Sequence, residues 1–167
     1  MADSDVARIV QAVAGQTRPV VLIDGGSGAG KTELARRLAP ALGAQLVSLD
    51  DMYPGWDGLE AASLAVQTEV LGKSGWRRWD WSAEAPAEWN ALDATHALVI
   101  EGCGSLSRGS RALATLGVWI ELDEPTRKAR ALARDGDTYA PHWERWAQQE
   151  RVFFARERPD RLADLIL

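Results

Sequence analysis

Cysteine occurs only once in the 167 residues, at Cys103, so no disulfide can form within one chain. A reducing, cytoplasmic setting is the expectation from that usage. Lysine is nearly as scarce, with three residues against sixteen arginines. Phe and Tyr contribute two residues each against eight Trp. No apolar run exceeds four residues, Val20-Val-Leu-Ile23 among them, far short of the roughly 20 residues a membrane helix needs. No basic stretch followed by an apolar one opens the chain, so neither a secretory leader nor a membrane partner is expected. Excess positive charge is missing as well. The formal net charge is −5 and the pI is about 5.1, which argues against a nucleic acid polymer as partner. With 46% apolar and 26% charged residues, the composition excludes wholesale disorder. The length fits one domain, 1–167, able to bury a core without a disulfide or metal staple.

What is present is a rhythm of strands and helices. Val6, Ile9, Val10 and Val13 recur at helical spacing over residues 4–14, with Ser4 as N-cap and Gly15 as the stop. Pro19-Val-Val-Leu-Ile23 reads as a buried strand, and Leu34, Leu38 and Leu42 form one face of a helix that Gly43 ends. Short apolar runs follow at 46–49, 97–100, 118–122 and 163–167, separated by helical patterns near 59–71, 110–116, 126–135 and 142–157. Such alternation predicts a three-layer α/β domain around a parallel sheet, with helices on both faces. Residues 72–95, rich in Trp, Arg and Pro, show no period and read as an insertion at the sheet's rim.

Between the first strand and its helix stands Gly25-Gly26-Ser27-Gly28-Ala29-Gly30-Lys31-Thr32. This is the G-x-x-x-x-G-K-[ST] pattern in the setting its chemistry needs. Glycines let successive N–H groups turn toward phosphate oxygens, and the helix N-terminus adds its positive end. Lys31 neutralises charge between the last two phosphates, while the Thr32 hydroxyl is suited to Mg²⁺. These eight residues predict a nucleoside triphosphate site.

Asp50 and Asp51 stand where the second strand ends, the side on which parallel sheets place ligands. A carboxylate there can take the proton of an acceptor hydroxyl; capping of a turn is the plainer alternative. Glu101, after the strand 97–100, could hold Mg²⁺ through its water shell or face the acceptor, and Gly102, Cys103 and Gly104 leave room beside it. Cys103 itself reads as a small buried apolar residue. Arg127, Arg130 and Arg134 share one helical stripe, fit to grip a polyphosphate or else to lie solvated. Trp76, Trp79, Trp81 and Trp89 cluster with Arg77 and Arg78, either stacking a ligand or forming a local core. Trp143 and Trp146 read as packing residues.

These stretches resemble the uridine kinase-like family of P-loop nucleoside kinases. The likeness runs through Ile23-Asp-Gly-Gly-Ser-Gly-Ala-Gly-Lys-Thr32, Leu49-Asp-Asp-Met-Tyr53, Trp79-Asp80-Trp81, Val99-Ile-Glu-Gly102 and Thr126-Arg-Lys-Ala-Arg130 through Arg134-Asp135. It implies a five-stranded parallel sheet of the nucleotide-kinase type, ATP and Mg²⁺ as cofactors, and a small-molecule acceptor. By that resemblance Asp50 is the base, with Lys31 and the lid arginines Arg127, Arg130 and Arg134 as the other catalytic residues. Thr32, Asp50 and Glu101 would serve the metal. Asp51, Tyr53, Trp79, Asp80, Trp81 and Glu101 would border the acceptor. Residues 72–95 would be the acceptor-binding insertion and 126–142 the lid. The chain departs from the family after Trp81, where Ser82-Ala-Glu-Ala-Pro86 lacks the histidine that meets the pyrimidine. The expected reaction is transfer of the ATP γ-phosphoryl group to a nucleoside-like hydroxyl. A nucleoside monophosphate kinase clamping its acceptor with Arg77 and Arg78, and a regulatory nucleotide-binding module with weak ATPase activity, are the alternatives.

Overall fold

The computed structural model describes residues 2–167. Five short strands make the central sheet: β1 (Val20–Asp24), β2 (Gln45–Ser48), β5 (Leu98–Glu101), β6 (Leu116–Trp119) and β7 (Leu165–Ile166). Their spatial order is β2-β5-β1-β6-β7, and every neighbouring pair is parallel. β1 is buried along its whole length because it has partners on both sides and layers on both faces. Its side chains alternate. Val21 and Ile23 join one core with Ile9, Val13, Leu34 and Leu38. Val20 and Leu22 join the other with Leu49, Leu59, Leu106 and Phe153. Helices α1 (Ala2–Ala12) and α2 (Lys31–Leu42) therefore cover one face, while α3 (Leu59–Ala65) and α7 (Trp143–Glu157) cover the opposite one. Each fully buried Leu or Ile contributes about 1.5–3 kcal/mol of transfer free energy. The expected five-stranded parallel α/β sandwich is what forms.

The differences are local and have identifiable causes. Ser4 lies inside α1 rather than capping it. The helix expected over 59–71 is α3, a π-turn segment over Val66–Val70, and α4 (Leu71–Lys73). The helix expected over 110–116 shrinks to α5 (Arg108–Arg111), started by a reciprocal Ser107–Ser110 capping box. Its cost is length: Leu116 is claimed by the sheet, where it pairs with Val21, so β6 begins two residues early. Residues 72–95 are not irregular. They hold an antiparallel hairpin, β3 (Gly75–Asp80) with β4 (Ala85–Ala91), whose register shifts between Arg77 and Trp79. The extra residue lies on β4, where Pro86 to Trp89 faces Arg77 to Trp79, and it breaks the two-residue period of that strand. After β6, α6 (Glu124–Asp135) opens with Asp123 accepting from the Thr126 N–H, and two 3₁₀ turns lead to α7. α8 (Pro159–Leu162) precedes β7. No helix among the described residues is long and apolar enough to cross a membrane.

Candidate active site

Residues 25–30 turn sharply from β1 into α2. Gly28 and Gly30 take φ values of +84° and +102°, which side chains rarely tolerate, and Gly30 caps the helix that Lys31 begins. Asp24, fully buried at the tip of β1, organises the turn. Its carboxyl accepts N–H groups from Gly25 (2.7 Å), Gly104 (3.1 Å) and Leu106 (2.9 Å). Burial pushes its pKa up to about 7, against the pull of those amides and of Lys31. One carboxyl thus ties the glycine turn after β1 to the small-residue turn after β5.

Lys31 is 7% exposed and donates to the Gly26 carbonyl at 2.9 Å. Burial opposes its charge, but Cys103, Glu101, Glu150 and Asp24 around it hold its pKa above the ordinary ammonium value. Thr32 donates to Glu101 at 3.1 Å, and Ser48 at the end of β2 donates to the same oxygen. Burial raises the Glu101 pKa, and the charge of Asp50 adds to it, while the Ser48 and Thr32 hydroxyls, with Lys31, pull it down. Among the described residues no three His, Cys, Asp or Glu side chains converge on a metal position. A cation beside Thr32 and Glu101 would therefore draw most of its ligands from phosphate and water, as Mg²⁺ ordinarily does. The turned glycines, the buried ammonium and the Thr32–Glu101 pair fit a magnesium-bound triphosphate.

A cleft of about 970 Å³ opens over this loop. Ser27, Gly28, Gly30, Lys31 and Thr32 line one end; Asp50, Tyr53, Trp56, Trp81 and Trp146 line another part. Glu101 and Cys103 lie on its wall, and so do Arg130 and Arg134. Asp50 sits in the 3₁₀ turn Leu49–Asp51 that follows β2, with its side chain exposed. Tyr53 is buried and donates to the Cys103 carbonyl at 2.8 Å, and burial pushes its hydroxyl pKa well above the usual value. Trp81 donates its indole N–H to the Asp50 carbonyl at 2.9 Å, which joins the hairpin to the end of β2.

Several expected site residues lie off the cleft. Asp51 does not line it; burial raises its pKa and Asp50 adds to the rise, while Arg78 lowers it. Asp80 accepts from the Ser82 and Ala83 N–H groups at 2.9 and 3.0 Å, so it caps the turn of the hairpin. Trp79 pairs with Pro86 across the hairpin. Gly25, Gly26 and Ala29 form the loop without facing the cleft. Arg127 is turned from it too, donating to the Leu122 carbonyl (3.0 Å) and the Ser27 carbonyl (3.1 Å). Arg134 reaches the cleft but pairs with Asp135 at 2.7 Å.

Other residues enter the site that the pattern reading had not assigned to it. Trp56 stacks on His142 (4.3 Å between centroids, 10°) and on Tyr139 (5.4 Å, 16°), and lies 5.2 Å from Trp81. Trp146, read as packing, both packs edge-on to Tyr53 at 4.6 Å and lines the cleft. These rings come from three separate stretches, 53–56, 81 and 139–146, and no local spacing connects the three. Cys103 is buried as expected, yet its sulfur stands 3.5 Å from the Lys31 nitrogen. Asp24 alone had a readable signal, the acidic residue directly before the glycine turn.

No family model matches the chain, and no curated protein does. Solved structures do match. A possible uridine kinase from Bacillus stearothermophilus superposes with a TM-score of 0.67 at 19% identity, covering 99% of this chain and 96% of that one. A candidate fructose transport system kinase from Silicibacter sp. superposes at 0.61 and 18% identity, covering 100% and 98%. This is the P-loop kinase fold. In the P-loop kinase fold of this chain, β1, β2 and β5 all deliver acidic or hydroxyl side chains at their carboxyl ends, the crevice where open parallel sheets bind ligands.

Proposed function

We propose that the protein is an ATP-dependent phosphotransferase that moves the γ-phosphoryl group to a hydroxyl of a small, nucleoside-like molecule. The observation that carries this reading is one cleft holding Lys31, Thr32 and the exposed carboxylate of Asp50, walled by Trp56, Trp81 and Trp146. Its volume of about 970 Å³ is at the upper end for small-molecule sites, enough for two ligands side by side. ATP with Mg²⁺ would supply the phosphoryl group and its electrophilic phosphorus. The chain's own residues do the rest. Backbone N–H groups of the loop and the start of α2 hold phosphate oxygens, and Lys31 neutralises charge that shifts during transfer. Asp50 accepts the acceptor's hydroxyl proton as its oxygen attacks. Arg130 and Arg134 reach over the cleft from α6 to meet charge on the transferred group. Aromatic faces orient the acceptor ring and exclude water.

The nucleoside monophosphate reading finds less support. Arg77 donates to the Ala87 carbonyl and lies over Trp89, Arg78 pairs with Glu88 at 2.7 Å, and neither lines the cleft. The regulatory module is disfavoured because the rings wall the cleft rather than fill it. ADP release measured over nucleosides, sugars, other alcohols and their monophosphates tests the proposal. An unphosphorylated alcohol should stimulate release. Stimulation by monophosphates alone would replace this reading with the kinase of that class, and slow release that no compound stimulates would leave a regulatory module.

A further inference from the structure

One buried carboxylate takes no part in the reaction as described. Glu150, on α7, is 3% exposed. It accepts the Ser27 N–H at 2.7 Å, and the Cys103 sulfur stands 3.2 Å away. Its other oxygen faces the Arg127 guanidinium at 3.4 Å, a pair in which the side chains are 11% and 4% exposed. Arg127 donates to the Ser27 carbonyl at 3.1 Å, and Tyr139 donates to the Ser27 hydroxyl at 2.9 Å. All three polar atoms of the loop's third residue are thus committed to the segment from α6 to α7.

The grip comes from outside the cleft. Ser27 lines the cleft, but Glu150 and Arg127 do not. The Arg127 guanidinium lies where a Cβ on Gly26 would stand, and its carbonyl occupies that place at Gly28. Glu150 is therefore not a stand-in for a phosphate; it holds the wall of the cradle. Arg127 lies on the same helical stripe as Arg130 and Arg134, three and seven residues on, and those two line the cleft. Whatever fixes Arg127 against the loop also fixes how the stretch of α6 that carries the other two arginines sits over the cleft.

We propose that Glu150 is a positioning residue: by pairing with Arg127 at Ser27 it registers the arginines of α6 over the phosphate loop. It thereby sets how strongly the site responds to the terminal phosphate. A partly buried guanidinium needs its counter-charge to stay in one place. A glutamine could still accept the Ser27 N–H but would leave Arg127 unneutralised. The inference rests on the phosphotransferase reading, so its test uses nucleotide binding and needs no acceptor.

Calorimetry with Mg²⁺ compares ADP with the β,γ-imido analogue of ATP, the ratio of affinities reporting contacts to the terminal phosphate. In the wild type the analogue should bind more tightly than ADP. Glu150→Gln should keep ADP affinity within about threefold while the ratio falls about tenfold. Arg127→Lys, which keeps the charge but loses the fork, should lower the ratio likewise and serves if the first variant does not fold. Arg130→Ala added to either variant should cost less than it does alone. Equal weakening of both nucleotides, or an unchanged ratio, in the folded variants overturns the proposal and leaves a scaffold residue. Wild-type protein that binds neither nucleotide overturns the phosphotransferase reading itself.

Discussion

The two ends of the cleft are built differently. The phosphate end is one continuous stretch, residues 24–32, whose backbone turns supply the donors and whose polar side chains, buried at Asp24 and Lys31 and half-buried at Ser27 and Thr32, are all hydrogen-bonded. The other end is assembled from rings at 53, 56, 81 and 146, with Trp56 braced by Tyr139 and His142, and with an exposed carboxylate, Asp50, among them. A triphosphate is the same in every enzyme that uses it, so a short local motif can encode its cradle. An acceptor varies, and stacking requires only that rings arrive from somewhere. The cradle should therefore lose most of its function when one residue changes; at the other end the rings should weaken it by degrees, and only the carboxylate should matter as much.

Four changes break or sharpen that contrast. Asp50→Asn should leave ADP binding within about twofold but reduce transfer by about 10²–10⁴-fold, measured as stimulated ADP release. Normal turnover would show that the rings, not the carboxylate, define the second end. Lys31→Ala should lower transfer by about 10²–10³-fold and also weaken nucleotide binding by calorimetry, since it removes the only ammonium in the cradle. Trp81→Ala should raise the acceptor KM about tenfold, leaving ADP affinity unchanged, because one stacked ring contributes about 1–3 kcal/mol. An equal loss in ADP affinity would mean that the two ends are one unit joined through the Trp81–Asp50 bond.

The smallest effect concerns pH and the buried turn. Asp24 has a pKa of about 7 when folded, against about 3.9 in an unfolded chain. The folded protein holds that proton more tightly, so the group's contribution to stability is full below about pH 4 and is lost as the pH rises through 7. The difference in Tm between wild type and Asp24→Asn should therefore shift against the wild type from pH 5 to pH 8 in thermal melts. A difference independent of pH would show that Asp24 acts through its hydrogen bonds alone.

The parallel sheet and the phosphate loop were legible because each is a local pattern: buried strands read as β-branched runs, and the loop as eight consecutive residues. The hairpin was not: an extra residue on β4, opposite Arg77 and Trp79, breaks the period of that strand. Arg127 illustrates a finer limit. Its spacing placed it correctly on the stripe with Arg130 and Arg134, but periodicity specifies a helix face, not whether a guanidinium turns toward the cleft or toward the loop's outer side. Asp80 shows the same ambiguity: an acid between two tryptophans suits a ligand or a turn, and here two backbone N–H groups claim it.

The scarcity of lysine and cysteine takes on meaning only in three dimensions. By itself the sequence determined that Lys31 begins a helix after a glycine turn, since strand, glycines and helix are adjacent in the chain. Only tertiary structure could place Cys103, Glu150 and Arg127 around that turn, because they lie 47 and 23 residues from one another along the chain and meet through packing of α6 and α7 on the loop. Local propensity decides how the loop bends; long-range packing decides what holds it there.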